Sequence, residues 1–512
     1  MNKKNAFFIC LISTICAVII DQVFHVQSFP GLLFFLLNII VALTGLALWL
    51  EKRKELHASP YALPWLLLTL ILSPWLFVRD SSWLYALNFL TCAGLAMLFW
   101  VNAQKQSLTH LVMSCTVPFQ FLRLILVKMN VPLNTFLHST ASVPEKRIKM
   151  IKSALLALPV VLFVAILLYS ADLVVSKYVD SILNIRLITE NFSHVFIIVY
   201  FFLFCGLFYS LLRNHSIQKN GKNGIVITQQ DKLVLQIMAV AVGILVLAFS
   251  FIQLKYLFAG ADVIGRLGIG YQEYAHRGFY QLLIASLIIF FIIWLLGKEY
   301  VNNQVDTLLS PLNLVISFVL IGETIFLLIS AMKRLWLFVD ALEWAPKRFF
   351  AFEGMIFFIV VLLLFCIHLV IKRYTRQQFL YTFSLLFVLN VVVINVMNPD
   401  RFIAKQNVQK YVVEKAEEHE LDFDYSAYVS ADGINEGIVL YQQARTDKEK
   451  FRAAQKLSFA WYRLQRYQEE QQQHWYLFHI SKNDAYKKLQ PLSTELEQFI
   501  TEDREEIDTS IK

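Results

Sequence analysis

Charge is scarce in this chain, and so are the residues that usually carry chemistry. Only 16% of its 512 residues are charged, against roughly 25% in soluble proteins, which excludes a chain kept in solution by a polar surface. Glycine is limited to 17 residues, leaving little material for phosphate-cradling loops or for the broken helices of many transporters. The six cysteines (Cys10, Cys16, Cys92, Cys115, Cys205 and Cys366) all precede the last 115 residues, and no two are spaced as CxxC. That excludes a disulfide framework and a zinc or dithiol centre. Walker, HExxH and GxSxG patterns are missing as well, so no catalytic set, metal or cofactor is expected.

Apolar sequence stands in their place. Hydrophobic residues make up 57% of the chain and mean hydropathy is +0.55. Crossing a hydrocarbon core of about 30 Å takes about 20 apolar residues. Eleven stretches approach that length: 6–24, 31–50, 62–78, 83–101, 154–171, 195–212, 233–254, 279–296, 312–332, 351–371 and 379–397. The fold expected is all-α and polytopic. It has four spans in 1–102, a cytoplasmic interfacial segment in 103–153, seven spans in 154–397 and a helical tail domain in 398–512. Segment 111–127 is apolar, but Pro118, Gln120 and Arg123 interrupt it, so it reads as lying in the interface. A retained first helix is preferred to a cleaved signal, because Asp21 and His25 follow the apolar run without a small-residue cleavage site.

The charge that exists is unevenly placed. Residues 1–397 carry 30 Lys and Arg against 17 Asp and Glu, whereas 398–512 carry 16 against 21. A basic membrane part facing anionic lipid explains the net charge of +8, so no nucleic-acid partner is inferred. With the N-terminus inside, 20 basic residues fall in inner connectors and 10 in outer ones, the positive-inside bias of a cytoplasmic-membrane protein. An odd number of spans then places the tail outside the cytoplasm.

The tail begins at Asn398-Pro399-Asp400, and 401–418 reads as a helix continuing after a break at Pro399. Thr446 and Glu449 form a capping box, followed by Phe451, Ala454, Leu457, Trp461 and Leu464 at helical spacing. Ser481 to Asp484 reads as the opening of another helix, with Tyr486 and Leu489 on one face.

A few polar residues stand out against the apolar background. Glu323 lies mid-span, where carboxylates usually face a bundle interior or water-filled cavity and can carry a proton or ion. Asp21 and Asp172 close spans near the outer face, and Gln253 and Lys255 end another there. Tyr274, His276 and Arg277 gather donors and charge beside a membrane entry, suited to an anion or to interfacial anchoring. The Lys333, Arg334, Lys347, Arg348 belt runs against the positive-inside bias, which points to paired charges or an anionic ligand.

Four stretches carry a family resemblance: Tyr274 to Phe279; Lys333 to Phe338 with Lys347 and Arg348; Asn398 to Asn407 with Leu421, Asp422, Tyr425 and Ser430 to Asp432; and Trp475 to Ala485. Across roughly 230–490 the chain resembles a bacterial polytopic membrane family, a domain of unknown function numbered four-one-seven-three in its series, and a close sister family. Phe338 stands where that family has tyrosine, a Gly-Leu-Thr turn is missing at 343–346, and His479 and Lys482 replace its asparagine and arginine. The resemblance implies fold and membrane location and no activity, and through it alone Asp400 and Asn407 become candidates.

Three functions fit these residues. The first is a non-enzymatic envelope protein whose outer tail docks an envelope protein or lipid. The second is a secondary transporter or flippase with Glu323 as its coupling carboxylate. The third is a membrane-embedded enzyme on a lipid-linked substrate, which would need Asp21, Asp172, Glu273, His276 or Asp400 to converge.

Overall fold

A computed structural model describes residues 31–54, 63–103, 145–172, 175–176, 229–257, 279–302, 311–371, 376–413 and 430–500. Among them every regular element is helical. The longer helices are α1 (Gly31–Lys54), α2 (Leu63–Leu72), α3 (Trp75–Val78), α4 (Ser82–Ala103), α5 (Glu145–Ala171), α6 (Gln229–Leu257), α7 (Phe279–Asn302), α8 (Pro311–Leu342), α9 (Pro346–Val370), α10 (Arg376–Met397) and α11 (Pro399–Val413). The tail adds α12 (Ile434–Gln443), α13 (Asp447–Gln473), α14 (Ile480–Leu489) and α15 (Ser493–Ile500).

Seven of these helices are long and apolar enough to cross a membrane, and Gly31–Ala47 and Leu63–Val78 are shorter apolar helices. Seven expected spans coincide with those seven to within a few residues at most ends, although α8 and α9 begin or run beyond the stretches read for them; two more fall on the shorter helices. The expected spans 6–24 and 195–212, and segment 111–127, lie outside the described residues. Exposed leucine, isoleucine and phenylalanine along the helices, such as Leu90, Ile244, Phe251 and Leu389, suit a lipid surface rather than water. The chain is a multi-pass helical membrane protein.

It divides into two compact units. The first comprises Met1–Leu108, Leu342–Ala351 and Thr382–Lys512; the second comprises Thr109–Ala341 and Phe352–Tyr381. In the first, α1 packs on α2, α3 and α4. Gly31 starts α1 because nothing larger fits: a Cβ there would sit 2.0 Å from the Leu76 carbonyl oxygen. The starts of α1, α4 and α9 and the ends of α3 and α10 gather at one side of this unit, as alternating spans require, and the tail packs there. Trp344, Phe349, Phe350 and Phe402 fill the gap between helix ends around Leu84, Ile394 and Ile403.

The break before the tail is at Asn398, whose φ of 54° lies in the left-handed region that asparagine tolerates best after glycine. Pro399 is then the first residue of α11, where a missing N–H costs nothing. The tail core is Ala431, Ile434, Leu457, Ala460, Trp461, Leu464, Ala485, Leu489 and Leu496, with Tyr486 stacked on Trp461 at 4.9 Å. The capping box is present in both halves. Ala454, Leu457, Trp461 and Leu464 are buried as their spacing requires, whereas Phe451 is exposed and meets Phe499 edge-on.

In the second unit α5 packs on α6 and α7. An aromatic cluster of Phe290, Trp294, Phe358, Phe365 and Phe379 joins α7, α9 and the start of α10.

Candidate functional site

The densest polar cluster joins the loop between α3 and α4 to the tail, entirely within the first unit. Its centre is a reciprocal exchange. The Asp80 amide donates to Asp432 Oδ2 at 2.8 Å, and the Ala431 amide donates to Asp80 Oδ2 at 3.1 Å. The remaining Asp432 oxygen accepts from Arg79 at 3.3 Å, Asn398 at 3.0 Å and Ser481 at 2.8 Å. Three segments of the chain thus converge on one carboxylate, and both its oxygens are satisfied. The Ser481 hydroxyl has a second acceptor in the Val78 carbonyl, so its single proton chooses between them. Arg79 also donates through Nε to the Asn395 carbonyl at 3.0 Å. Behind that contact Asn88 and Asn395 exchange amide hydrogen bonds of 2.9 and 2.7 Å, fastening α4 to α10.

A chain of proton-bearing groups runs beside this clasp. Tyr85 Oη donates to Asp80 Oδ1 at 3.0 Å and lies 2.9 Å from His479 Nε2. The Tyr85 hydroxyl thus links the carboxylate to the ring, its roles toward His479 being set by the imidazole tautomer. The His479 Nδ1 is buried without a hydrogen-bond partner. Burial pushes His479 down to about 4, which keeps it neutral at physiological pH. Lys482 Nζ stands 3.7 Å from Asp80 Oδ1 and 5.0 Å from the Tyr467 ring centre. Burial alone would raise the Asp80 carboxyl, but Lys482, His479, the Ala431 amide and the Tyr85 hydroxyl together hold it below its ordinary value.

Asp400 opens α11 at the edge of the same cluster. Ser81 donates to its Oδ1 at 3.3 Å, while Oδ2 is buried without a partner. Burial, with the Asp432 and Asp80 charges acting the same way against hydrogen bonds from Ser430 and Ser81, pushes its carboxyl up to about 6. Asn407, two turns further along α11, brackets Trp344: Oδ1 accepts from the Trp344 amide at 2.8 Å and Nδ2 donates to its carbonyl at 2.9 Å. That clamps the turn between α8 and α9.

Asp400 and Asn407 therefore both serve to hold helix ends against the tail. Arg79, Asp80, Ser81 and Tyr85 drew no notice in the sequence, and Asp432, His479, Ser481 and Lys482 appeared there only within resemblance stretches. Ser481 does not open α14 as its sequence setting suggested: the helix starts at Ile480 after His479, and the hydroxyl reaches back to Val78.

The other expected residues have different fates. Tyr274, His276 and Arg277 lie outside the described residues, as do Asp21 and Glu273. In the second unit Arg334 is 1% exposed and donates to the Ala171 carbonyl at 2.7 Å and to Asp172. Gln253 completes that group, donating to Asp172 at 3.1 Å. Asp172 is thus a buried ion-pair partner. Arg348 donates to the Glu343 carbonyl, so these two arginines of the belt are tied internally. Glu323 is buried on α8 with both carboxylate oxygens unpartnered. Among the described residues no group of three or more His, Cys, Asp or Glu could hold a metal ion.

Apolar spanning helices with a polar helical tail clasped to their ends define a polytopic helical membrane protein. The family described as Domain of unknown function (DUF4153) matches residues 66–439, and the chain belongs to it. The match bears out a resemblance to a domain of unknown function, although its number is four-one-five-three and not four-one-seven-three, and it takes in Asp80, Glu323, Asp400 and Asp432 while leaving His479 outside. No curated protein and no solved structure matches the chain.

Proposed function

We propose that this protein is a non-enzymatic component of the bacterial cytoplasmic membrane whose tail, held rigidly outside the cytoplasm, docks an envelope protein or lipid. The observation that carries this reading is the satisfied Asp432 carboxylate, whose four donors come from the α3–α4 loop, Asn398 and α14. Charges committed to one another in this way are suited to fixing a domain and poorly suited to turning over a substrate. The docking edge is Trp475, 66% exposed, with Phe478 and Ile480 beside it. The turn Trp475–Leu477 packs on the apolar helix α1, which supports a docking edge beside the bilayer. Tryptophan at such a level commonly anchors proteins at the lipid interface. The eleven-span arrangement, with the N-terminus inside, gives the tail its side.

A photoreactive amino acid at position 475 in intact cells tests the reading. It should cross-link to lipid or to one discrete protein, while the same probe at position 461, whose tryptophan is 3% exposed, should not. Asp432→Ala removes one partner of a buried pair at a cost of about 3–5 kcal/mol, so it should free the tail and scatter the adducts. Adducts unchanged by Asp432→Ala, or random neighbours from position 475 in the unmodified background, would reject the docking role.

A further inference from the structure

Within the second unit α6 and α8 run parallel. Gln236 Nε2 donates to Asn313 Oδ1 at 2.7 Å near their N-terminal ends. Midway, Gly243 faces Leu320 and Glu323: a Cβ on it would lie 3.5 Å from Leu320 and 3.8 Å from Glu323 Oε2. At the far end Gln253 of α6 and Arg334 of α8 meet on Asp172. Between these points polar side chains recur along one stripe of each helix, as Gln236, Ser250 and Gln253 on α6, with Gly243 among them, and as Asn313, Ser317, Glu323, Ser330 and Arg334 on α8. At about 1.5 Å per residue the α8 stripe covers roughly 32 Å, the thickness of a hydrocarbon core.

What sets this stripe apart is how little of it is satisfied. A hydroxyl inside a membrane helix ordinarily donates to the carbonyl one turn back, and Thr324 (to Leu320, 2.6 Å) and Ser286 (to Leu282, 2.8 Å) do so here. Ser250, Ser317 and Ser330 do not: their hydroxyls are buried without partners, as are both Glu323 oxygens and Gln253 Oε1. Packing alone gains nothing from such a row, because each unpaired polar group in a dry interior is a penalty. Ordered water between the helices would satisfy all of them and link them into a file.

We propose that α6 and α8 enclose a proton path that leads from the Gln236–Asn313 pair past Ser317 to Glu323, where the carboxylate takes up and releases the proton. Beyond Glu323 the path continues past Ser330 to the Asp172–Arg334–Gln253 group, which lines its opposite end. The transfer is simple: a hydronium in the file gives its proton to the carboxylate, leaving water and a neutral acid, and the reverse step restores both. Few groups compete for that proton. Residues 237–252 of α6, 154–168 of α5 and 281–296 of α7 contain no titratable side chain, and on α8 the flanking charged residues are Lys333, Arg334 and Asp340. A metal ion is a poorer occupant, since one carboxylate and scattered hydroxyls provide no cluster of hard ligands. The path makes no use of the tail and stands apart from the docking reading.

Full-length protein in vesicles loaded with a pH-sensitive dye, driven by a potassium diffusion potential, tests the path. Protein-containing vesicles should acidify faster than empty ones. Glu323→Gln should return the rate to that of empty vesicles, and Glu323→Asp should keep part of it. Thr446→Ala, which alters only a tail helix cap, should match the parent. A second readout is covalent labelling by dicyclohexylcarbodiimide, which attacks protonated carboxyls in apolar surroundings; Glu323 should be modified, more slowly as pH rises. Parent vesicles no faster than empty ones, a folded Glu323→Gln protein that conducts normally, flux that requires sodium, or Glu323 refractory to the reagent would each overturn the proposal. Tail cross-links would be unaffected by any of these results.

Discussion

Two residues of the clasp pull its stability in opposite directions with pH. Asp400 sits at about 6 in the folded protein against an ordinary 3.8, so the folded state holds its proton more tightly. Its contribution is complete below pH 4 and is lost as pH rises through 6. His479 sits at about 4 against 6.5, so its contribution is complete above pH 6.5 and is lost as pH falls through 4. Each is worth on the order of 3 kcal/mol, and between pH 4 and 6 the slopes cancel. Thermal unfolding in detergent should therefore be nearly flat across that window. Asp400→Asn should uncover a stability that rises with pH, and His479→Gln one that falls; a strong slope in the parent protein would refute the pairing. None of this was legible in the sequence. Asp80 and Asp432 are 352 residues apart, neither belongs to a periodic pattern, and Arg79-Asp80-Ser81 reads as an ordinary connector. Asp400 and Asn407 came into view by resemblance, whereas Glu323 was visible directly, because a carboxylate within an apolar run is conspicuous however the helices pack.

Helices were the most readable level. Most spans follow from the length of apolar runs, and the start of α13 from a capping box whose two hydrogen bonds are local. The breaks are less readable because they depend on backbone conformation. The turn between α8 and α9 is the clearest case: Glu343 adopts φ 68°, a region where a side chain costs roughly 1–2 kcal/mol, at the start of the stretch where the resembling family carries glycine. Asn407 holds the next residue from outside and so keeps the turn in place. Replacing Glu343 by glycine should relieve that strain and stabilise the protein by about 1 kcal/mol, seen as a higher unfolding temperature. A neutral or lower value would mean that the contacts of the glutamate side chain outweigh the backbone strain.

For the whole molecule, side is the property most open to direct measurement. The tail contains no cysteine of its own, so a single cysteine in place of Trp475, in a background with the six natural cysteines replaced, reports its location. An impermeant maleimide added to intact cells, or to spheroplasts where an outer membrane intervenes, should label it. Labelling only after the cytoplasmic membrane is broken would move the tail inside and change the number of spans between it and the N-terminus by one. Sequence reached this level through charge counting alone, which orients loops but cannot reveal that the tail and the first described helices belong to one compact unit.

That shared unit has a consequence for how the protein is made. Arg79 and Asp432 are 353 residues apart, and at roughly 5–20 residues per second a ribosome needs about 20–70 s to travel between them. Throughout that interval the α3–α4 loop already stands at the membrane surface, with Arg79, Asp80 and Asn88 deprived of their final partners. The early helices must therefore wait, incompletely assembled, for the end of the chain to arrive. A ribosome that stops before Asp432 leaves behind an inserted protein that lacks its clasp, an exposed defect by which quality control could tell an unfinished copy from a finished one.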